Sequence, residues 1–505
     1  MAQDMISGDP ERIPVIIGVG QVNDRPDDPD QGLDSRGLMI AALKAADADA
    51  GGGLLSELDS LAIVDQISFR HLGKLCDPLA AAIEATPAIN YQSDAPHGDT
   101  PVRLLNEAAN RIGAGDVRLA AVVGAEALRT AAGRAAKAAS GEDKSYNAVR
   151  QVATQREPNY AQKHGLSAPV DVYPLYENAT RAAWGESLED AQFESAEIWS
   201  RFSDVAAQND GAWIRKAATP ADILDVNDRN RPIAFPYSKL MVANSSVNQG
   251  AGFIVASLAE ARRRGIAEDR LIFVGMGAAA KEPASILARD RYDHSVSMET
   301  SIRRTLALNA MTVEDFDCVE LYSCFPCVPK MARRILGWPW DRPATVFGGL
   351  TFGGGPIANY MSHAIVSMVE KLRREGRYGF LFANGGFATD NHCIILGRAP
   401  IAAASFPQDF DYQAEAEAKR GPVPELVKDY AGPATIESYT VFYGRDGHPR
   451  AGVVVARTPA GARTLAHVDV SDAAMLAFLT DGTAEPVGTA GQIVALDEGF
   501  GWRAA

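Results

Sequence analysis

The sequence predicts a layered α/β fold built from two similar halves and followed by a small, mostly β domain. Three observations predict it. Short apolar, β-branched runs alternate with segments of helical period, the same alternation restarts after residue 270, and the tail changes to a hairpin pattern. PVIIGVGQV, residues 14–22, is too apolar for a solvated loop and too short for a buried helix, so it reads as a strand. Residues 36–48 follow as a helix that Asp34 or Ser35 can cap. A second strand is predicted over 61–67. A helix over 100–112 places Val102, Leu105, Ala109 and Ile112 on one face and stops at the glycines of 113–115. LAAVVG, residues 119–124, is the next buried strand. Residues 128–239 are polar, rich in Ala, Arg and Asn, and read as an inserted helical and loop subdomain. LIFVGMGAA at 271–279 repeats the character of the first strand. Helices are predicted at 299–308 and 360–375, and strands at 318–321, 378–383 and 394–398. The expected division is therefore 1–127 with 240–270 as one half, 128–239 as the insertion, 271–406 as the other half, a Pro- and Ala-rich linker over 407–433, and a β domain over 434–505. In that last domain RDGHP separates two β-branched runs as a hairpin would.

A chain of 505 residues exceeds what one hydrophobic core organises, and 47% hydrophobic with 22% charged residues is an ordinary globular composition. The net charge of −15 opposes phosphate backbones and anionic membranes, so nucleic acid is not an expected partner. Five cysteines in this length fit a reducing compartment. The polar, acidic start lacks a basic, apolar leader, and no run approaches a membrane span of about 20 residues; a cytoplasmic location is the expectation.

Five segments, four of them bearing glycine or asparagine, stand at the ends of predicted elements: HGDTPVRLLNEAANRIGAGD from His97, NSSVNQGAG from Asn244, VELYSCFPC from Val319, GGLTFGGGP from Gly348 and ANGGFATDNH from Ala383. In their order and setting they resemble the loops of the thiolase superfamily over about residues 14–399, and the tail resembles the extra C-terminal domain of one thiolase-like subgroup. The resemblance implies a duplicated five-layered αβαβα core with an oligonucleotide-binding-type small barrel appended, a coenzyme A or acyl-CoA (co)substrate and no metal. It also makes a homodimer possible. It departs from the thiolase pattern where that pattern carries chemistry. His97 and Gly98 stand where the nucleophilic cysteine loop is expected, Tyr322 at the Asn or His position, Gly355 at the catalytic His and Asn384 at the second cysteine. A cysteine acyl-enzyme is therefore disfavoured.

The candidate catalytic residues are His97, Tyr322, Asn384 and His392. His97 is a possible base or helix cap. Tyr322 is a possible proton donor, as in aldolases of the superfamily, or a core tyrosine. Asn384 is a possible oxyanion donor or loop brace, and His392 is within reach of the same loop. Candidate substrate or coenzyme A contacts are the backbones of Gly98, Gly354, Gly355 and Gly385 and the side chains of Arg215, Arg231 and Lys239, with ordinary surface charge as the alternative for the last three. The Cys324–Cys327 spacing has no second ligand pair and reads as packing. Three activities stay open: an acyl-CoA-dependent enzyme acting on a C–C bond beside a carbonyl of a β-keto acid or β-keto thioester, a retro-aldolase using Tyr322, and a non-catalytic acyl-CoA or lipid carrier.

Overall fold

The computed structural model describes residues 8–139 and 157–504. Residues 140–156 of the expected insertion lie outside the described residues. The first half contributes β1 (Pro14–Asn23), β2 (Ser60–Ile63), β3 (Ile89–Gln92) and β4 (Leu119–Ala127). The insertion contributes β5 (Pro232–Ala234) and β6 (Tyr237–Ser238). Then come β7 (Asn248–Ser257), β8 (Ile272–Val274), β9 (Ala278–Lys281), β10 (Cys318–Leu321), β11 (Tyr378–Gly385) and β12 (Asp390–Gly397). The core strands run in the order β10-β11-β12-β8-β1-β7-β4-β2-β3, with β9 paired to β12, so the two half-sheets join where β8 meets β1. Helices Thr100–Ala114 and Tyr360–Arg374 pack on each other and touch strands of both halves, which makes them the middle layer. Helices Ser35–Asp49 and Val296–Leu308 cover the outer faces. Thr100–Ala114 forms where expected. Pro101 suits its first turn, its apolar face is buried, and Gly115 at φ +79° ends it in the left-handed conformation.

β7 lies in the 240–270 stretch, where no strand is predicted. All ten of its residues are buried, and it lies between β1 and β4 at the centre of the sheet. Its glycines hid it from a reading based on β-branched runs. A Cβ at Gly250 would lie 2.8 Å from the Leu38 carbonyl oxygen, so the close packing of helix on strand requires glycine there.

The tail contains β13 (Gly432–Tyr443), β14 (Pro449–Arg457), β15 (Arg463–Val468), β16 (Ala490–Ala495) and β17 (Phe500–Ala504). Their order, β13-β14-β15-β17-β16 and back to β13, closes a five-stranded barrel with helix Ala473–Thr480 between the third and fourth strands. This is the Greek-key topology of the oligonucleotide-binding barrel. The barrel does not begin at residue 434. β5 and β6 of the insertion extend its sheet through the pairing of Ala234 with Phe442. The stretch expected as a linker is also anchored. It carries helix Gln413–Lys419, and Arg420 meets the buried Glu282 of the core at 3.1 Å. Among the described residues no helix is long and apolar enough to cross a membrane.

One helix of the insertion, Pro169–Trp184, bridges the core and the barrel. Asn178 donates to the Tyr439 carbonyl at 2.9 Å, Ser438 Oγ donates to the Leu175 carbonyl at 2.6 Å, and Arg181 meets Glu485 at 2.5 Å. On the core side Tyr173 is fully buried against the loop after β11.

Candidate functional site

Three loops at strand and helix ends meet at Gly98. A Cβ on Gly98 would lie 2.2 Å from the Asn384 carbonyl oxygen and 2.7 Å from Tyr322 Oη, and one on Gly385 would lie 2.8 Å from Gly98 N. Only a glycine lets β11, the loop after β10 and the start of helix Thr100–Ala114 approach this closely. Gly98→Ala is expected to push these loops apart and lower stability by about 1–3 kcal/mol, read as a shift in the urea midpoint.

Around this point stand five polar side chains. His97 Nδ1 is 2.8 Å from Asp390 Oδ2, and Lys281 Nζ is 3.0 Å from Asp390 Oδ1. The sheet register fixes the latter pair, because Asp390 and Lys281 face each other across β12 and β9. These two contacts outweigh the penalty of burying Asp390 and hold its carboxylate below the usual range. The hydrogen bond to Asp390 raises His97. Asp99 contrasts with Asp390. Its carboxyl is buried and has no hydrogen-bond partner among the described residues. Burial, and then the nearby Asp390 charge, push it up to about 6. Tyr322 is likewise buried with no hydrogen-bond partner for its hydroxyl among the described residues. Burial holds it in the protonated form, and the thiol of Cys324 and Asp99 act in the same direction. The ligand atoms of His97, Asp99 and Asp390 lie within 4.8 Å of one another, a spacing that could hold a cation; Lys281 already supplies positive charge to the most acidic of the three.

Asn384 is beside this group and is hydrogen-bonded through both its oxygen and its nitrogen. Its Oδ1 accepts from Tyr173 Oη at 2.9 Å and its Nδ2 donates to Asn391 Oδ1 at 2.9 Å. These bonds brace the loop and leave the second N–H of the amide without a partner among the described residues. Tyr173 also accepts from the Ala388 backbone N–H and stacks on Phe325 at 4.6 Å, so the insertion closes this side.

The tail residues 413–498 match the family model described as the thiolase-like protein type 1 additional C-terminal domain. The whole chain is similar to a crystal structure of a monomeric SCP2-thiolase-like protein type 1 from Mycobacterium smegmatis. That match has 29% identity and a TM-score of 0.81, and it covers 98% of this chain and 99% of that one. The chain has a thiolase-like fold followed by this additional C-terminal domain. More distant similarity in fold extends to the Ltp2-ChsH2(DUF35) aldolase (17% identity, TM-score 0.58, 76% of this chain and 98% of that one). It also extends to the dimeric peroxisomal thiolase of Saccharomyces cerevisiae (13% identity, TM-score 0.56, 78% and 99%). No curated protein sequence matches.

The thiolase-like fold thus brings His97, Gly98, Tyr322, Asn384 and Gly385 together. It treats the other expected residues differently. His392 lies on the same face of β12 as Asp390 but two residues further in, where its Nε2 accepts from Asn106 Nδ2 at 2.6 Å. Burial lowers it to about 3, so it is a neutral packing histidine. Gly355 donates its N–H to the Asn244 carbonyl at 2.8 Å, and the space a Cβ on Gly354 would fill is taken by the Gln249 side chain. Arg215 is paired with Asp210 at 2.8 Å, Arg231 donates to the Gly444 carbonyl of the barrel at 3.3 Å, and Lys239 is exposed. Asp99, Asp390, Lys281 and Tyr173 are additions that the sequence reading passed over. The available signal was a carboxylate beside a glycine turn at the edge of a predicted element: HGD just before the helix over 100–112, and ATD just after the strand over 378–383.

Proposed function

We propose that this protein makes or breaks a carbon–carbon bond beside a thioester or keto carbonyl by acid–base chemistry, without an acyl-cysteine intermediate. The observation that carries this reading is the pair of buried, unpartnered proton carriers: Asp99, the residue after Gly98, and Tyr322, whose hydroxyl packs against Gly98. In the cleavage direction with a β-hydroxyacyl thioester, ionised Asp99 accepts the hydroxyl proton. The Cα–Cβ bond breaks, and its electrons pass into an enolate conjugated with the thioester carbonyl. The Tyr322 hydroxyl supplies the proton that completes the shortened acyl thioester. An aldehyde or ketone leaves, and the Asp99 proton returns the pair to its starting state. Similarity in fold to a protein described as an aldolase supports this class, and similarity to thiolases supports a coenzyme A thioester as the substrate. Against a cysteine route, Cys324 and Cys327 are buried and carry thiols raised by burial, Cys324 to about 12.

The test is release of aldehyde or ketone from a panel of β-hydroxyacyl and β-ketoacyl thioesters. Tyr322→Phe is expected to lower turnover by about 10²–10³-fold with little change in thioester binding. Unchanged turnover in that variant would remove Tyr322 from the mechanism. A carrier role is the second reading, favoured by the hydrogen bonds that hold Asn384 in place and by the closure by Tyr173. It requires thioester binding with no turnover of any member of the panel.

A further inference from the structure

The groups around Asp99 differ sharply in exposure: Tyr173 is buried, whereas Lys281 and His97 reach solvent. On the insertion side Tyr173 is bonded to Asn384 and to the loop after β11, and its helix is clamped by the barrel. The exposed groups around Asp99 are hydrogen-bond donors. Lys281 has 61% of its side chain exposed, His97 49% and Arg103 36%, whereas Asp390 has 2%. His97 Nδ1 is committed to Asp390, but Nε2 has no hydrogen-bond partner among the described residues. The Lys281 ammonium has three donors, and Asp390 takes one. Arg103 is partly occupied by Glu107 at 2.9 Å. Donors thus form the rim, and the proton-accepting Asp99 lies behind them.

We propose that the reacting molecule reaches Asp99 past His97 and Lys281, and that it carries an oxyanion, a carboxylate or a phosphate, which His97 Nε2 and Lys281 Nζ bind. The inference rests on Asp99 being the proton acceptor and adds the direction of approach and the charge of the substrate. It places the anion-binding cations on the core rather than on the insertion, where Arg215 is paired with Asp210 and Arg231 is turned to the barrel. With the oxyanion at the rim, a neighbouring carbon or hydroxyl of the same molecule is carried inward to Asp99 and Tyr322. The hydrogen bond of Asp390 to Nδ1 favours a protonated imidazole whose Nε2–H points to the arriving anion.

Binding of acetoacetate, its uncharged methyl ester and pyrophosphate to the full chain tests this by saturation-transfer or ³¹P NMR titration. Acetoacetate is expected to bind, with an affinity about tenfold or more lower for the methyl ester and for Lys281→Ala. Lys281→Arg is expected to retain binding, as is Lys216→Ala, which removes an exposed charge from the insertion. His97→Gln is expected to weaken binding in the same direction as Lys281→Ala. Binding of pyrophosphate but not acetoacetate, with the same dependence on Lys281, would identify the oxyanion as a phosphate. No binding of either anion, or equal binding in wild type and Lys281→Ala, would overturn the inference. If Asp99-dependent turnover of a thioester persists under those conditions, the approach and anion assignment fail while the acid–base reading stands.

Discussion

Asp99→Asn is expected to abolish turnover and, at the same time, to stabilise the protein at neutral pH. As the positioned base, Asp99 accounts for about 10²–10⁴-fold in rate, and an amide of nearly the same shape cannot accept the proton. The effect on stability has the opposite sign. The carboxyl stands at about 6 in the folded chain against a reference value of 3.8, because burial and the Asp390 charge disfavour its ionised form. A group raised on folding contributes its full stability below the lower value and loses it as pH rises through the upper one. Above about pH 6 the buried charge therefore weakens the fold, by on the order of 1–3 kcal/mol. Asparagine has no charge to bury, so the variant should exceed wild type in urea midpoint at pH 7 and converge with it near pH 4. The wild-type rate should rise with pH through about 6 as the base ionises. A variant that loses activity and stability together would indicate a structural aspartate.

Lys330→Met is expected to cost the most stability, about 3–5 kcal/mol. Lys330 and Glu177 form an ion pair at 2.6 Å with side chains only 1% and 4% exposed. Lys330 also donates to the Ala191 carbonyl at 2.8 Å, and Tyr237 Oη donates to Glu177 at 2.7 Å. Removing the ammonium leaves a carboxylate in the interior with a single phenol as partner, which is the costly arrangement. Replacing both partners, Lys330→Met with Glu177→Leu, should recover most of the loss, since two apolar groups leave no uncompensated charge. Urea unfolding of the three variants measures the difference. The pair also matters to the site. Glu177 lies one helical turn after Tyr173, so loosening it should free Tyr173 from Asn384 and lower activity beyond what the stability loss explains.

Much of this was legible in the amino-acid sequence, for identifiable reasons. LAAVVG is buried along its whole length in β4, and the helix after His97 has the face its spacing implies. The glycine turns announced that strand ends converge, and His97, Gly98, Tyr322, Asn384 and Gly385 do meet there. The chemistry at that meeting was less visible. His97 and Asp390 are 293 residues apart, and Lys281 joins them only through the register of β9 on β12, which no local pattern encodes. His392 was a reasonable candidate by proximity, but strand geometry carries it inward to Asn106. β7 escaped because the glycines that let it pack closely also erase the β-branched signature. The tail helix and Arg420 escaped because a Pro- and Ala-rich stretch looks like a linker whether or not one of its side chains finds a buried partner such as Glu282.

The most direct measurement is the turnover of a β-hydroxyacyl thioester by a cysteine-free chain in which Cys76, Cys318, Cys324, Cys327 and Cys393 are all replaced by alanine, compared with Asp99→Asn in the same background. Turnover within a few-fold of wild type without any thiol, and its loss on adding Asp99→Asn, is the expected result. An acyl group found on a cysteine of the wild-type protein by intact mass, together with an inactive but folded cysteine-free chain, would contradict it.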